Sequence, residues 1–189
     1  MIIIPIEISA RHVHLNRQDL DILFGSNYEL TFKKAISQTG QYAASETVIL
    51  RNDDKEIIKV RVVGPLRKNT QVELSVSDAR RLGIDPPVEK SGNMADAEIL
   101  TIIGPKGTVT KKCAIIPQRH IHASVEDAEK YNLHDGQIVS IKCGREREII
   151  FSNVIVRIDK NFVWNLHLDT DEASAAGLTI GASGIVIIV

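Results

Sequence analysis

The chain has 189 residues, a formal net charge of −1 and a pI near 6.6, with 43% hydrophobic and 25% charged residues. That length accommodates one large domain or two small ones, and the balanced charge removes the electrostatic case for general nucleic-acid binding. No apolar run reaches membrane-spanning length, and the two cysteines, Cys113 and Cys143, form no C-x-x-C unit and read as reduced, buried thiols of a cytosolic protein.

The chain opens with the apolar run Ile2 to Ile8, which lacks the basic start of a signal peptide and reads as a first strand. Aromatics make up only 4%, so Ile, Val and Leu must build the core, and the β-branched residues among them favour sheet. Arg11-His12-Val13-His14 follows. On a strand, residues i and i+2 share a face and sit roughly 6.5 Å apart, which lets two imidazoles converge on one metal ion. Asn16, with Asp19 three residues later, signals a helix start. Leu20, Leu23 and Phe24 supply the helix's apolar stripe, and Gly25 its stop.

Ser37 to Ser45 is polar, contains glycine and has no helical stripe, so it reads as an excursion of the kind that often carries function. Glu46 to Leu50 and Ile57 to Val63 are strands flanking a hairpin-like break at Asn52-Asp53-Asp54. Arg67 lies in a Gly64-Pro65 turn six residues before Glu73. It reads equally as a surface charge or as an anion clamp, since a guanidinium fork fits phosphate. Ser75 with Asp78 opens a second helix, stopped by Gly83. Asp85-Pro86-Pro87 and Lys90-Ser91-Gly92-Asn93 read as a loop and a candidate seam between halves.

Leu100 to Ile103 is a strand, and Gly104 to Gly107 a turn. Cys113 to Pro117 leads into a second copy of the first motif, Arg119-His120-Ile121-His122. Two copies are far more specific than one, because a lone His-x-His is often only a hydrogen-bonded surface pair. Ser124 with Asp127 opens a third helix, ended by Asn132, and His134 falls in a solvent-exposed turn. Ile138 to Ile141, Val154 to Val156, Phe162 to Leu166 and Ile185 to Val189 complete the strands. Trp164 reads as core. Asp169 with Glu172 opens a fourth helix over Ala173 to Ala176, stopped by Gly177.

The residue two before each cap is His14, Glu73, His122 or His167. All four are common metal ligands at one structural address, the strand-to-helix corner. With His12 and His120 they make six candidate ligands, too many for one closed tetrahedral zinc but suited to two ions. A His-rich shell with one carboxylate favours Zn²⁺ over Mg²⁺ or Ca²⁺, with Co²⁺, Fe²⁺ and Ni²⁺ also accommodated. A pair of histidines leaves open positions on its ion, which is a catalytic rather than a structural arrangement. Arg11 and Arg119 read as partners of carboxylates at a barrel rim. No Ser or Cys sits in a nucleophile elbow. Many short strands with small helices at the corners predict a mainly β chain of compact barrels rather than a doubly wound parallel sheet.

Taken together, Arg-His-Val-His-Leu, Ser-Gln-Thr-Gly-Gln-Tyr-Ala-Ala-Ser-Glu-Thr-Val (37 to 48), Gly-Pro-Leu-Arg-Lys-Asn-Thr-Gln-Val-Glu (64 to 73), Arg-His-Ile-His and His-Leu-Asp-Thr-Asp-Glu-Ala (167 to 173) resemble the phosphate propanoyltransferase family. This is the zinc-dependent phosphotransacylase family of bacterial microcompartments. The likeness covers essentially the whole chain. It implies acyl transfer between coenzyme A and inorganic phosphate, and two β-barrels with short capping helices and an active site at their interface. It implies that residues 1 to 10 join 118 to 189 in one barrel, and that 11 to 24 join 46 to 117 in the other, with 25 to 45 an excursion within the second. Carried over by position, His12 and His14 bind one zinc, His120, His122 and His167 a second, and Glu73 lies on or between them. Arg67 matches the phosphate-binding arginine. Ser9, Ala10, Arg61 and Ser174 fall where the family contacts coenzyme A, although Ser174 stands in place of the usual Asn and Thr39 in place of a usual Pro.

The implied partners are therefore acyl-CoA and phosphate, with no nucleic acid or membrane, and a homo-oligomer is left open. The chain starts at its first strand, without the amphipathic extension that targets microcompartment members. A free cytoplasmic enzyme using acetyl-CoA is the expectation, and a microcompartment enzyme whose extension was removed the alternative. The rival activity is a binuclear zinc hydrolase of an acyl or phosphate ester. The non-catalytic rival is a metal-stabilised interaction module with closed sites.

Overall fold

The computed structural model describes residues 1–188. The first run forms β1 (Ile2–Ser9), with Ile4 and Ile6 buried and Ile3 exposed, the alternation expected of a strand with one core face. After a break at Ala10 and Arg11, β2 (His12–His14) carries the first histidine pair. Then come α1 (Arg17–Phe24), β3 (Phe32–Ala35), β4 (Tyr42–Asn52), β5 (Lys55–Gly64), β6 (Gln71–Glu73), α2 (Val76–Leu82), β7 (Val88–Glu89), β8 (Glu98–Ile103) and β9 (Thr108–Pro117). The second histidine pair opens β10 (His120–Ala123), followed by α3 (Val125–Tyr131), β11 (Ile138–Cys143), β12 (Ile149–Ile158), β13 (Asn165–Asp169), α4 (Thr170–Ala175) and β14 (Ser183–Ile187).

Helices of six to eight residues are too short to persist alone, so their caps and buried faces must hold them. Asn16, Ser75, Ser124 and Asp169 each have extended backbone and accept the amide three residues on with a side-chain oxygen. This satisfies one of the orphan donors at the helix start. Asn132 and Gly83 both close their helices in the left-handed region.

The chain divides into two compact units, one of residues 1–10, 37–39 and 118–189, the other of 11–36 and 40–117. In the first unit, β1, β13, β10, β12, β11 and β14 close into a barrel. Its core includes Ile4, Ile121, Val154, Val156 and Leu166. In the second, β4, β5, β2, β6 and β9 follow one another, and β8 pairs with both β9 and β4, which closes a second ring of six. Val13, Leu50, Val62, Val72 and Leu100 lie in its core. Closure leaves neither ring with an open edge, and β3 and β7 are additions beside β4 and β9.

The two rings repeat one wiring. In the second unit, β2 runs parallel to β5 and antiparallel to β6, and β6 runs parallel to β9. In the first, β10 runs parallel to β12 and antiparallel to β13, and β13 runs parallel to β1.

The expected elements differ from the structure at a few places. Tyr42–Ser45 belong to β4 rather than to an excursion, and α4 ends at Ala175, one residue short. Phe162, Val163 and Trp164 are not strand, so β13 starts at Asn165. There the Phe162 amide turns back to the Asp159 carbonyl. The Gln38 side chain replaces a ladder at Val163, accepting from its N–H and donating to its carbonyl, both at 3.1 Å. Val189, expected in the last strand, lies outside the described residues. No helix among the described residues is long and apolar enough to cross a membrane.

Candidate metal centres

In the second unit, antiparallel pairing sets His12 directly opposite Glu73, and the period of two brings His14 to the same face. The His12 and His14 Nε2 atoms are 3.1 Å apart, and His12 Nε2 is 3.5 Å from Glu73 Oε2. Two nitrogens bound to one tetrahedral zinc at about 2.0–2.1 Å lie roughly 3.3 Å apart, so the imidazoles already hold that spacing. The Val63 carbonyl lies 3.1 Å from His14 Nδ1. A carbonyl can only accept, so Nδ1 carries the proton and Nε2 keeps its lone pair. Burial first, then the nearby His12 and Arg67, push the His14 pKa well below 6.5, against a smaller opposing pull from Glu73. Burial alone would raise the Glu73 pKa. His12, His14, a hydrogen bond from Ser91 and Arg67 overcome that and hold it at about 2. Both groups therefore have the protonation states a ligand requires.

In the first unit, His120 stands opposite His167. His122 Nδ1 is 3.1 Å from His167 Nε2, and His120 gives its Nδ1 proton to the Gln118 carbonyl at 2.8 Å. The ligand atoms of each trio lie within 4.8 Å of one another. This donor chemistry, three imidazoles in one group and two with a carboxylate in the other, fits zinc. Neither group is sealed, because the side chains of His12 and His167 are 13% and 14% exposed.

Arg67 lies on the turn after β5, half-buried, with its backbone N–H on the Leu15 carbonyl at 2.9 Å. Its Nη1 donates to Ser91 Oγ at 3.2 Å. It is therefore within the electrostatic reach of His14 and Glu73 and is not a remote surface charge. Arg11 and Arg119 pair with carboxylates, Asp78 and Glu172, each at 2.7 Å. His134 is exposed, and the Trp164 ring packs against the first unit's core with its N–H on the Ile3 carbonyl. Ser9 ends β1 opposite Asp169, Ala10 and Ser174 are exposed, and Arg61 Nη1 donates to the Ala44 and Ser45 carbonyls. Burial pushes the Cys113 thiol up to about 12 and raises that of Cys143, so both are inert as nucleophiles at neutral pH.

Four polar residues at these centres carried no role in the sequence reading. Gln71 and Ser91 donate to Glu73 Oε1. Glu7 lies beside His167, 3.8 Å from its Nε2, and takes a hydrogen bond from Ser37. The amide nitrogen of Gln38 stands 3.5 Å from His167 Nε2. Gln71 had a local signal, since it lies two residues before Glu73 on the same strand face, and Gln38 lies in the polar stretch of 37–45; Ser91 and Glu7 had none.

A protein-family profile described as phosphate propanoyltransferase matches residues 5–179, a span that includes both histidine pairs, Arg67, Glu73 and His167. The phosphate propanoyltransferase of Thermotoga maritima is 48% identical over 180 residues, which cover 94% of this chain and 86% of that protein. That of Rhodobacter capsulatus is 46% identical over 177 residues, 93% of this chain and 82% of its own. That of Priestia megaterium is 44% identical over 183 residues, covering 96% and 84%. With similarity of this degree from end to end, the chain belongs to the phosphate propanoyltransferase family and is a transferase of the phosphotransacylase type.

Proposed function

We propose that this chain moves a short acyl group, propanoyl or acetyl, between coenzyme A and inorganic phosphate, with two zinc ions held per chain. The observation that carries this reading is the convergence of His12, His14 and Glu73 beside Arg67, ligands and an anion-binding group in one unit. His12, His14 and Glu73 hold one ion in this reading, and His120, His122 and His167 the other. Zinc bound there would supply a Lewis acid for an acyl or phosphate oxygen and a soft partner for the coenzyme A sulfur.

Arg67 binds phosphate through its guanidinium, lowers the charge repulsion that opposes attack, and aims one oxygen at the thioester carbonyl. A carbon–oxygen bond forms, the carbon–sulfur bond breaks, and the proton of hydrogen phosphate ends on the departing thiol. Acyl phosphate and coenzyme A are the products, and water is not consumed. Glu73 is ionised and His14 neutral near pH 7, so neither is a general acid; they serve as ligands. Ser9, Ala10, Arg61 and Ser174 contact coenzyme A in this reading.

Thiol release from acetyl-, propanoyl- and butanoyl-CoA, with and without phosphate and after metal analysis, tests the assignment. Release that requires phosphate is the expected result. Release in water alone would point to a hydrolase and overturn it.

A further inference from the structure

One hydroxyl joins the anion-binding arginine to the carboxylate of the second unit's centre. Ser91, on the loop after β7, accepts from Arg67 Nη1 at 3.2 Å and from Gln71 Nε2 at 2.9 Å, and donates to Glu73 Oε1 at 2.8 Å. A serine hydroxyl has one proton and two lone pairs, so these three bonds use its whole capacity. The direction of each is unambiguous, because a guanidinium and an amide nitrogen can only donate. Gln71 also donates to Glu73 Oε1, and its own carbonyl takes the Gly92 N–H at 2.7 Å, which holds the loop in place. Glu73 Oε1 is thus committed to two donors, while Oε2 is the oxygen that faces His12.

We propose that Ser91 is a positioning residue: its hydroxyl holds Glu73 so that only Oε2 is offered to a metal ion, and orients Arg67 relative to that oxygen. This inference rests on the metal-dependent acyl transfer proposed above. Outer partners of metal ligands typically govern affinity by 10–100-fold, and here the same group also sets the arginine's aim. Removing the hydroxyl therefore alters metal affinity and phosphate use together, and leaves the first unit's trio unaffected.

The test loads the full-length protein with Co²⁺ and follows its release to a competing chelator by visible absorption. The His12→Ala variant identifies which release step belongs to the second unit. Ser91→Ala is expected to weaken that step about 10–100-fold and leave the other in place. The KM for phosphate rises while that for acetyl-CoA stays within twofold, and Ser91→Thr, which keeps a hydroxyl, restores both. Release steps in Ser91→Ala that coincide with the parent's, or a Ser91→Thr protein as impaired as Ser91→Ala, would overturn the proposal. A parent protein that binds no metal, or releases thiol without phosphate, would instead overturn the acyl-transfer reading on which it rests.

Discussion

At the residue scale, the candidate site of the second unit contains groups whose surroundings select one protonation state. His14 is buried and kept neutral, and the pKa of Glu73 is held at about 2, so its carboxylate stays ionised at neutral pH. Both depressions have the same sign for stability: at acidic pH the unfolded chain binds protons that the folded chain excludes, so stability rises with pH. For His14 the contribution is complete above 6.5 and lost as pH falls below it. For Glu73 it is complete above 4.5 and lost on the way down to about 2. Metal-free protein should therefore show a urea midpoint that declines steadily from pH 7 to pH 4; an unchanged midpoint across that range would contradict this account. Arg67 makes a separate prediction. Arg67→Ala should lower kcat/KM for phosphate by about 10²–10³-fold, the loss typical of one transition-state donor, with bound metal retained. Steady-state kinetics beside metal analysis checks both halves. The candidate ligands were legible in the sequence because residue type and a spacing of two are local properties. Ser91 was not, because it reaches Glu73 only when a loop eighteen residues away in sequence folds back over β6.

At the element scale, each unit builds its centre from the same module. A strand bearing His-x-His, with an arginine just ahead of it, pairs antiparallel with a second strand that carries a candidate ligand, and a capped helix follows each. The arginine ahead of the histidines pairs with an acidic residue in the first turn of the helix that follows the partner strand, Arg11 with Asp78 and Arg119 with Glu172. The reading of both arginines as rim ion pairs therefore holds. The helices also depend on close contact. The Lys106 N–H bonds the Leu23 carbonyl at 3.0 Å, satisfying an orphan acceptor at the end of α1. A Cβ on Gly104 would fall on that same carbonyl oxygen. Backbone cannot yield as a side chain does, so Gly104→Ala should cost about 1–3 kcal/mol, measured by urea unfolding, while a titration of the metal-free variant still takes up its metal. The caps were visible in the sequence as Asn, Ser or Asp with an acidic residue three positions on. The start of β13 was not, because the side chain that takes over pairing at Val163 is Gln38, 125 residues earlier.

At the scale of the whole molecule, two centres of different composition predict two separable metal equivalents. The parent should bind two Zn²⁺ per chain, and His12→Ala and His122→Ala one each, by metal analysis after dialysis. A chelator should abolish phosphate-dependent thiol release, and added zinc should restore it. Binding energy at each centre adds to folding energy, so chelation should also lower the melting temperature. A single equivalent retained in both variants would show that the six residues do not form two sites.

The sequence by itself determined most of the ring strands, through β-branched alternation, though not β3 or β7, the four helix starts, through their capping residues, and the types of the candidate ligands. All of these depend on neighbours within a few residues. Only the tertiary structure decided which strands close each ring, because β1 runs parallel to β13 with Ile6 beside Leu166, a pairing no local pattern encodes. It also decided that His167 would join His120 and His122, that Glu73 would join His12 and His14, and that Ser91 and Gln71 would hold Glu73. Such meetings depend on ring closure, where partners far apart in the chain become neighbours through hydrogen-bond register and shared core packing.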